Sequence, residues 1–127
     1  MIQIKTKYKG HLYIELMVTI TLIGLMLGCL SVSLSAFRQF NHYQLKRQQC
    51  ISAAQAQLNS IDLTGNELDS KLLNSLWPNV STAVTTSTGT GQWKGLQLVE
   101  VTAHSKSFNK DVSISLSRYM TVKGKSR

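Results

Sequence analysis

The chain has 127 residues, of which 14 are Lys or Arg and 6 are Asp or Glu, so its formal net charge is +8. This length has room for one domain and excludes a large multidomain architecture. Three lysines lie in the first ten residues, and without them 11 basic and 6 acidic side chains leave a net charge of +5. A moderately basic domain is compatible with binding to nucleic acid or acidic surfaces, and equally with scattered solubilising charge.

The first ten residues, MIQIKTKYKG, contain no acid, and a long hydrophobic segment follows them. Residues 16–37 are 22 consecutive positions without a charge. As a helix this run spans about 33 Å, which matches the hydrocarbon core of a bilayer. The run therefore predicts a membrane-spanning helix. A secretory signal peptide is the alternative, with Ser33, Ser35 and Ala36 as a loose cleavage motif, although the run is longer than a usual signal core.

Helical periodicity continues beyond the hydrophobic run. Ile51, Ala54, Leu58 and Ile61 recur at helical spacing. The same stripe extends back through four further positions, Phe37, Phe40, Gln44 and Arg47. No proline interrupts residues 11–63, so the sequence predicts one helix of about 50 residues, half in lipid and half amphipathic. We expect this helix to end near residues 64–65.

The two cysteines, Cys29 and Cys50, both fall on this predicted helix. Their 21-residue separation corresponds to about 31 Å along a continuous helix, which excludes an intramolecular disulfide. We therefore interpret Cys29 as a small apolar residue of the membrane segment and Cys50 as a residue on the helix face.

The remaining residues predict a second, short helix and then β-structure. Thr64 and Glu67 have the spacing of a capping box, and Pro78 terminates the helix that would follow. That helix would carry three leucines on one face, Leu68, Leu72 and Leu76. Residues 79–91 are rich in Ser, Thr and Gly and predict an edge strand followed by a flexible turn.

Two further strands are predicted near the C-terminus. Residues 96–101 are partly apolar on both faces, as in a strand covered on two sides, and residues 112–122 alternate with a period of two. Residues 106–110 would connect them in an antiparallel hairpin, and residues 123–127 would form a disordered basic tail. The fold class is thus α+β: a long N-terminal helix packed on a small antiparallel sheet with a short second helix.

One acidic residue, Glu15, stands at the edge of the uncharged run. An ionisable group there is costly unless it is paired, which makes it a candidate functional residue. The competing interpretation is a glutamate whose carboxylate lies among the lipid headgroups.

The residues around Glu15 form a recognisable string. Gly10, His11 and Glu15 precede Leu-Met-Val at 16–18 and then Gly24, all directly after a basic leader. This arrangement resembles the processing region of type IV pilins and of type II secretion pseudopilins. The resemblance covers roughly residues 5–40 at the level of the motif, and the predicted long helix with a small α+β domain fits the pilin-like architecture over the rest.

The resemblance implies a processing and assembly sequence. Residues 1–10 would be a leader, 11–37 the transmembrane half of the helix, and 38–127 an extracytoplasmic domain of an inner-membrane, single-pass protein. A prepilin peptidase would cleave between Gly10 and His11 and methylate the new amine. Other pilin-like subunits and an inner-membrane assembly platform would be the partners, and Glu15 would pair with the α-amine of His11 on a neighbouring subunit.

Two departures from the family pattern refine this expectation. His11 stands where the family usually has Phe, and Val32 stands where major pilins have Pro. The missing proline, the short length and the two closing strands resemble a minor pseudopilin, and most closely the I-type of type II secretion. His11 and Glu15 are also four residues apart, so the imidazole could approach the carboxylate within one chain.

Gly24 and Gly28 form a G-x-x-x-G pattern. Such a spacing allows two membrane helices to approach closely. In a fibre of packed helices we therefore expect both glycines to lie at a helix–helix contact.

Other function classes receive less support. The histidines at 11, 42 and 104 lie in different predicted elements, and no metal or cofactor motif accompanies them, so we expect no enzyme, cofactor or metal site. An uncleaved single-pass membrane protein is one alternative. Another is a DNA-uptake or type IV minor pilin that binds DNA through Trp93 and a basic surface. The basic residues of that surface would be Lys94, Lys106, Lys110, Arg118, Lys123, Lys125 and Arg127.

Overall fold

The computed structural model describes residues 4–108 and 110–121, with side chains from residue 10 onward. The elements are helix α1 (Ile4–Thr64), helix α2 (Ser70–Leu76), strand β1 (Val80–Thr88), a 3₁₀ turn (Gly91–Trp93), strand β2 (Leu96–Ser107) and strand β3 (Lys110–Thr121). The predicted α+β fold, with a long N-terminal helix, a short second helix and an antiparallel sheet, is confirmed. The tail predicted at 123–127 lies outside the described residues.

The chain divides into two compact units at the boundary between Phe40 and Asn41. In the first unit, α1 is a helix whose large apolar side chains are all about half exposed or more, from Leu12 at 69% to Phe40 at 58%. Within the described residues, α1 is the one helix long and apolar enough to cross a bilayer. Nothing else in this unit covers its apolar surface, so the hydrophobic core of the protein lies in the second unit.

The core of the second unit forms where the C-terminal part of α1 packs on the sheet. From α1 it contains small side chains, Cys50, Ala53 and Ala54, followed by Leu58. All four side chains are buried in the cluster that they form with the sheet. The strands contribute Val80, Val99, Val101, Ala103, Val112 and Met120.

Cys50 belongs to this core and not to an ordinary helix face, since its side chain is completely buried. Burial raises the pKa of the Cys50 thiol, and the charge of Lys46 offsets part of that rise. Both cysteines are free, as the sequence predicted from their spacing.

The predicted apolar stripe on α1 is only partly correct. Ala54 and Leu58 are buried and Ile61 packs against the core, as expected. Phe40 and Arg47, however, are exposed. Towards the N-terminus the core instead includes Cys50 and, packed against it, Tyr43. The predicted stripe started at Phe37, in the uncharged run, where every face of the helix is apolar and periodicity does not indicate which face is buried.

The second helix begins later than the sequence predicted. Its N-cap is Asp69, whose carboxylate accepts a hydrogen bond from the Lys71 backbone N–H at 3.3 Å. Thr64 is instead the last residue of α1, and its hydroxyl donates to the Ser60 carbonyl at 2.6 Å. A capping box at Thr64 was therefore wrong, because the hydroxyl is used by the preceding helix.

The buried face of α2 also differs from the prediction. Leu73 is buried, whereas Leu72 and Leu76 are at least half exposed and Leu68 precedes the helix. The backbone N–H of Leu68 donates to the buried Gln57 side chain at 3.2 Å, which ties the connection to α1. Trp77 ends the helix before Pro78, as predicted.

The three strands form an antiparallel sheet in the order β1-β2-β3. Val101 pairs with Val84 on one side and Leu116 on the other, which confirms the predicted edge strand and hairpin. The connection in that hairpin is shorter than predicted, because Lys106 and Lys110 already belong to the strands. The prediction that β2 is covered on both faces was also wrong, since alternate residues from Glu100 onward are exposed or only half-buried.

A tight loop joins β1 to β2. The Gly89 backbone N–H donates to the Leu96 carbonyl at 2.8 Å, and the Trp93 ring stacks on Tyr119 with centroids 4.8 Å apart. A Cβ atom at Gly89 would meet the Trp93 carbonyl oxygen, and it would lie 2.9 Å from the Leu96 carbonyl oxygen. Both obstacles are backbone atoms, so a side chain here forces the loop apart.

We predict that Gly89→Ala lowers the free energy of unfolding by about 1–3 kcal/mol through this overpacking. The measurement is urea unfolding of the full chain in detergent micelles, followed by tryptophan fluorescence. Thr90→Ala is the matched control, because Thr90 is exposed and its side chain makes no capping hydrogen bond. Equal midpoints for the two variants would contradict the packing argument.

Candidate processing and assembly site

The residues singled out by the sequence all lie on the first unit of α1. Gly10, His11 and Glu15 are exposed and helical. Two threonine hydroxyls nearby are satisfied within the helix: Thr19 donates to the Glu15 carbonyl at 2.7 Å, and Thr21 donates to the Met17 carbonyl at 2.8 Å. These bonds remove two polar hydroxyls from contact with an apolar environment.

The Glu15 carboxylate stands apart from this pattern. Across residues 10–108 and 110–121 it has no ion-pair partner, and the His11 imidazole does not lie within ion-pair distance of it. The proposed contact between His11 and Glu15 within one chain is therefore not formed in the structure. A carboxylate at the edge of an apolar segment is costly unless it is paired, and no side chain at 10–108 or 110–121 forms an ion pair with this one.

Gly24 and Gly28 lie one helical turn apart on the same part of α1. A Cβ atom added at either glycine would meet no atom within 4 Å. The two positions are thus open notches in an otherwise bulky surface, flanked by exposed Leu25 and Leu27. Their geometry permits close approach of a second helix, and it imposes no packing requirement within this chain.

The basic residues proposed for DNA are not gathered into one patch. Lys94 follows the 3₁₀ turn before β2, whereas Lys106 lies ten residues along that strand, about 33 Å away. Arg118 faces α1 and lies 3.8 Å from the Asp62 carboxylate. Trp93 is 43% exposed but already stacks on Tyr119. The remaining basic residues of that set, 123, 125 and 127, lie outside the described residues.

An open cleft of about 660 Å³ lies in the second unit. Lys46, His104, Ser105, Lys106 and Asp111 contribute to its walls. Ser105 is buried and its hydroxyl has no hydrogen-bond partner in the described part of the chain. No side-chain hydrogen bond joins these groups in the structure as described, so they are not arranged as a nucleophile with a base.

One contact was not predicted by the sequence. The His42 ring lies 2.8 Å from the Ser107 hydroxyl through Nδ1 and packs against the Phe108 ring at a centroid distance of 4.6 Å. It links α1 to the end of the β2–β3 hairpin, 65 residues later in the chain. No local sequence pattern predicts it. Within the described residues, no group of three or more His, Cys, Asp or Glu is placed to hold a metal ion.

Comparison of the chain with models of known families, with curated proteins and with solved structures found no match. Its function is therefore argued below from its own residues and from the resemblance of its N-terminal motif.

We predict that Gly24→Leu and Gly28→Leu leave the isolated chain folded and membrane-inserted but weaken its self-association in the membrane. The reason is that the added side chains meet no atom of this chain but fill the notch that another helix would occupy. Cross-linking of the chain reconstituted in vesicles measures the association.

Leu25→Ala serves as the control for those substitutions, because it changes bulk on the same helix without filling a glycine notch. If Gly24→Leu and Leu25→Ala associate as the wild-type chain does, the glycines have no role in packing.

Proposed function

We propose that this protein is a minor pseudopilin of a type II secretion system, or a closely similar minor pilin. In this proposal α1 holds the chain in the inner membrane with residues 38–127 outside the cytoplasm, until the subunit is drawn into a fibre. The observation that supports it most directly is the combination of an uncovered apolar helix with one carboxylate, Glu15, placed five residues after Gly10.

The basic leader fits the first step of this proposal. Lys5, Lys7 and Lys9 stand on the side of the hydrophobic run where positive charge favours the cytoplasm. A prepilin peptidase in the inner membrane would cleave after Gly10, which leaves His11 with a free α-amine that is then methylated. The peptide bond to be cut lies in an exposed segment of α1.

The second step uses the charge that cleavage creates. When helices pack together in a fibre, the Glu15 carboxylate meets the positive α-amine of a neighbouring subunit in a low-dielectric environment. The attraction is satisfied at only one axial stagger, so it sets the register between subunits. Glycines 24 and 28 would allow the same helices to pack closely, with the inner-membrane assembly platform as the partner that drives extraction.

The first test is the state of the N-terminus. We expect mass spectrometry of the chain, expressed with a prepilin peptidase, to find a product that begins at a methylated His11. Gly10→Val blocks the cut because it puts a branched side chain at the cleaved bond, whereas Gly28→Val retains the cut. An intact Met1 on the wild-type chain would identify an uncleaved membrane protein instead.

The second test concerns Glu15. We expect Glu15→Gln to be cleaved normally but to fail to enter fibres, because the amide keeps the shape of the side chain and loses its charge. Glu15→Asp is the matched control that retains the charge, and it should recover part of the assembly. Shearing of fibres from cells followed by immunoblotting measures incorporation. Normal incorporation of Glu15→Gln would show that charge pairing is not required.

A DNA-uptake or type IV minor pilin remains the second candidate function. It is supported by Lys94, a basic residue that directly follows the partly exposed Trp93 in the chain. If this surface binds DNA, the mobility shift of an oligonucleotide by the full chain in micelles should weaken steeply with salt. Lys94→Glu should lower that binding several-fold, with Lys71→Glu on α2 as the control. Loss of binding in both variants would indicate nonspecific attraction.

A further inference from the structure

The end of the β2–β3 hairpin presents an aromatic side chain to the exterior. Phe108 is 73% exposed and has a φ angle of +47°, a backbone conformation that bulky residues rarely adopt. Two contacts hold the hairpin end in place: the Ser107 hydroxyl lies 2.8 Å from His42 Nδ1, and the Phe108 ring packs against the same imidazole. These contacts hold the Phe108 ring at the hairpin end while most of its surface stays exposed.

The hairpin end contacts α1 at His42, a residue close in sequence to the end of the uncharged run. His42 follows Phe37, the last residue of the uncharged run, by five residues of α1. At the rise of an α-helix this separation is about 7–8 Å. The headgroup layer on each side of the hydrocarbon core is roughly 5–7 Å thick. The length of helix between the end of the uncharged run and His42 is therefore about the depth of one headgroup layer.

The charges of this region match an anionic surface. Lys106 and Lys110 flank Phe108 two residues before and after it, and both are exposed. They lie on opposite faces of the hairpin, because Lys110 pairs with Ser107 and not with Lys106. Arg38, Lys46 and Arg47 add positive charge on the adjoining stretch of α1.

Acidic residues concentrate at the other end of the second unit. Asp62 lies 20 residues beyond His42 on α1, about 30 Å along the helix, and Glu67 and Asp69 follow it. At the hairpin end, Asp111 is the acidic residue, paired in register with Lys106. The hairpin end of the second unit thus carries more basic than acidic side chains beside its exposed phenylalanine.

We propose that the hairpin tip, defined as residues 106–108 and 110, docks on an anionic phospholipid surface while α1 is in the membrane. Phe108 enters the interface, where aromatic side chains are favoured, and Lys106 and Lys110 contact lipid phosphates. The proposal rests on the membrane anchoring in the proposed function and not on cleavage or fibre assembly. Docking would hold the second unit against the bilayer until the subunit is extracted.

The test uses a photo-reactive benzoylphenylalanine in place of Phe108 in the full chain. The matched control has the same group in place of Tyr119, another exposed aromatic residue, at the opposite end of β3. Both chains are reconstituted in vesicles of phosphatidylcholine and phosphatidylglycerol and irradiated, and lipid adducts are measured by mass spectrometry. We expect adducts at position 108 and few at position 119.

Charge substitutions in the chain that carries benzoylphenylalanine at position 108 distinguish docking from mere proximity. Lys106→Glu and Lys110→Glu should each lower the adduct yield about fivefold or more, since a basic residue near an anionic surface contributes about that factor. Lys94→Glu is the control, because Lys94 is exposed and lies before the far end of β2. In vesicles of phosphatidylcholine alone, the adduct yield at position 108 should also be lower than in vesicles that contain phosphatidylglycerol.

The unsubstituted chain supplies an independent measurement. Amide hydrogen exchange at the hairpin tip should be slower in phosphatidylglycerol vesicles than in phosphatidylcholine vesicles, with β1 unchanged. Equal lipid adducts at 108 and 119, or adducts of 108 with a second copy of the chain, would overturn the proposal. Cleavage after Gly10 is scored on separate samples, so failed processing and failed docking are distinguishable.

Discussion

The first unit of α1 sets the main constraint on this protein, because its apolar side chains have no cover within the described chain. Helices that are apolar on every face need lipid or other helices around them. A bilayer satisfies that requirement for residues 16–37 but not for the carboxylate of Glu15. The apolar helix surface and the Glu15 carboxylate therefore need two different environments. Under the proposed function, a membrane-inserted precursor and a packed fibre would supply them in turn.

The second unit solves a different packing problem. It has 87 residues, 41–127, with which to build a core, which is small for an independent domain. Its core combines a helix face of Cys50, Ala53 and Ala54 with β-branched sheet residues such as Val101, which is fully buried. The other sheet face is polar and largely exposed, so one side of the sheet carries the stability of the unit.

The sequence predicted the features that depend on local patterns. The uncharged run, the end of α1 at Thr64, the stop at Pro78 and the antiparallel hairpin follow from composition, periodicity and the geometry of proline. The sequence did not predict which residues of α1 face the core near the end of the uncharged run, since an entirely apolar segment has no preferred face. Thr64 was misassigned as a cap because hydroxyls can bond to either of two adjoining segments.

The candidate site divides in the same way. Gly10 and Glu15 were predicted as functional residues because a glycine after a basic leader and a charge next to a hydrophobic run are visible in the sequence alone. The contact of His42 with Ser107 and Phe108 was not, because it joins residues far apart in the chain and depends on how the hairpin meets α1. Such contacts become visible only with the tertiary structure.

In the proposed location of residues 38–127 outside the cytoplasm, the burial of Cys50 has a consequence for its redox chemistry. An oxidising compartment favours disulfides, and an unpaired thiol there is exposed to mixed disulfides and to oxidation. The sheet covers Cys50 completely once it has packed on α1, and burial keeps the thiol in its unreactive protonated form. The reactive period of this thiol therefore ends when sheet and helix meet, which makes redox protection a product of correct folding.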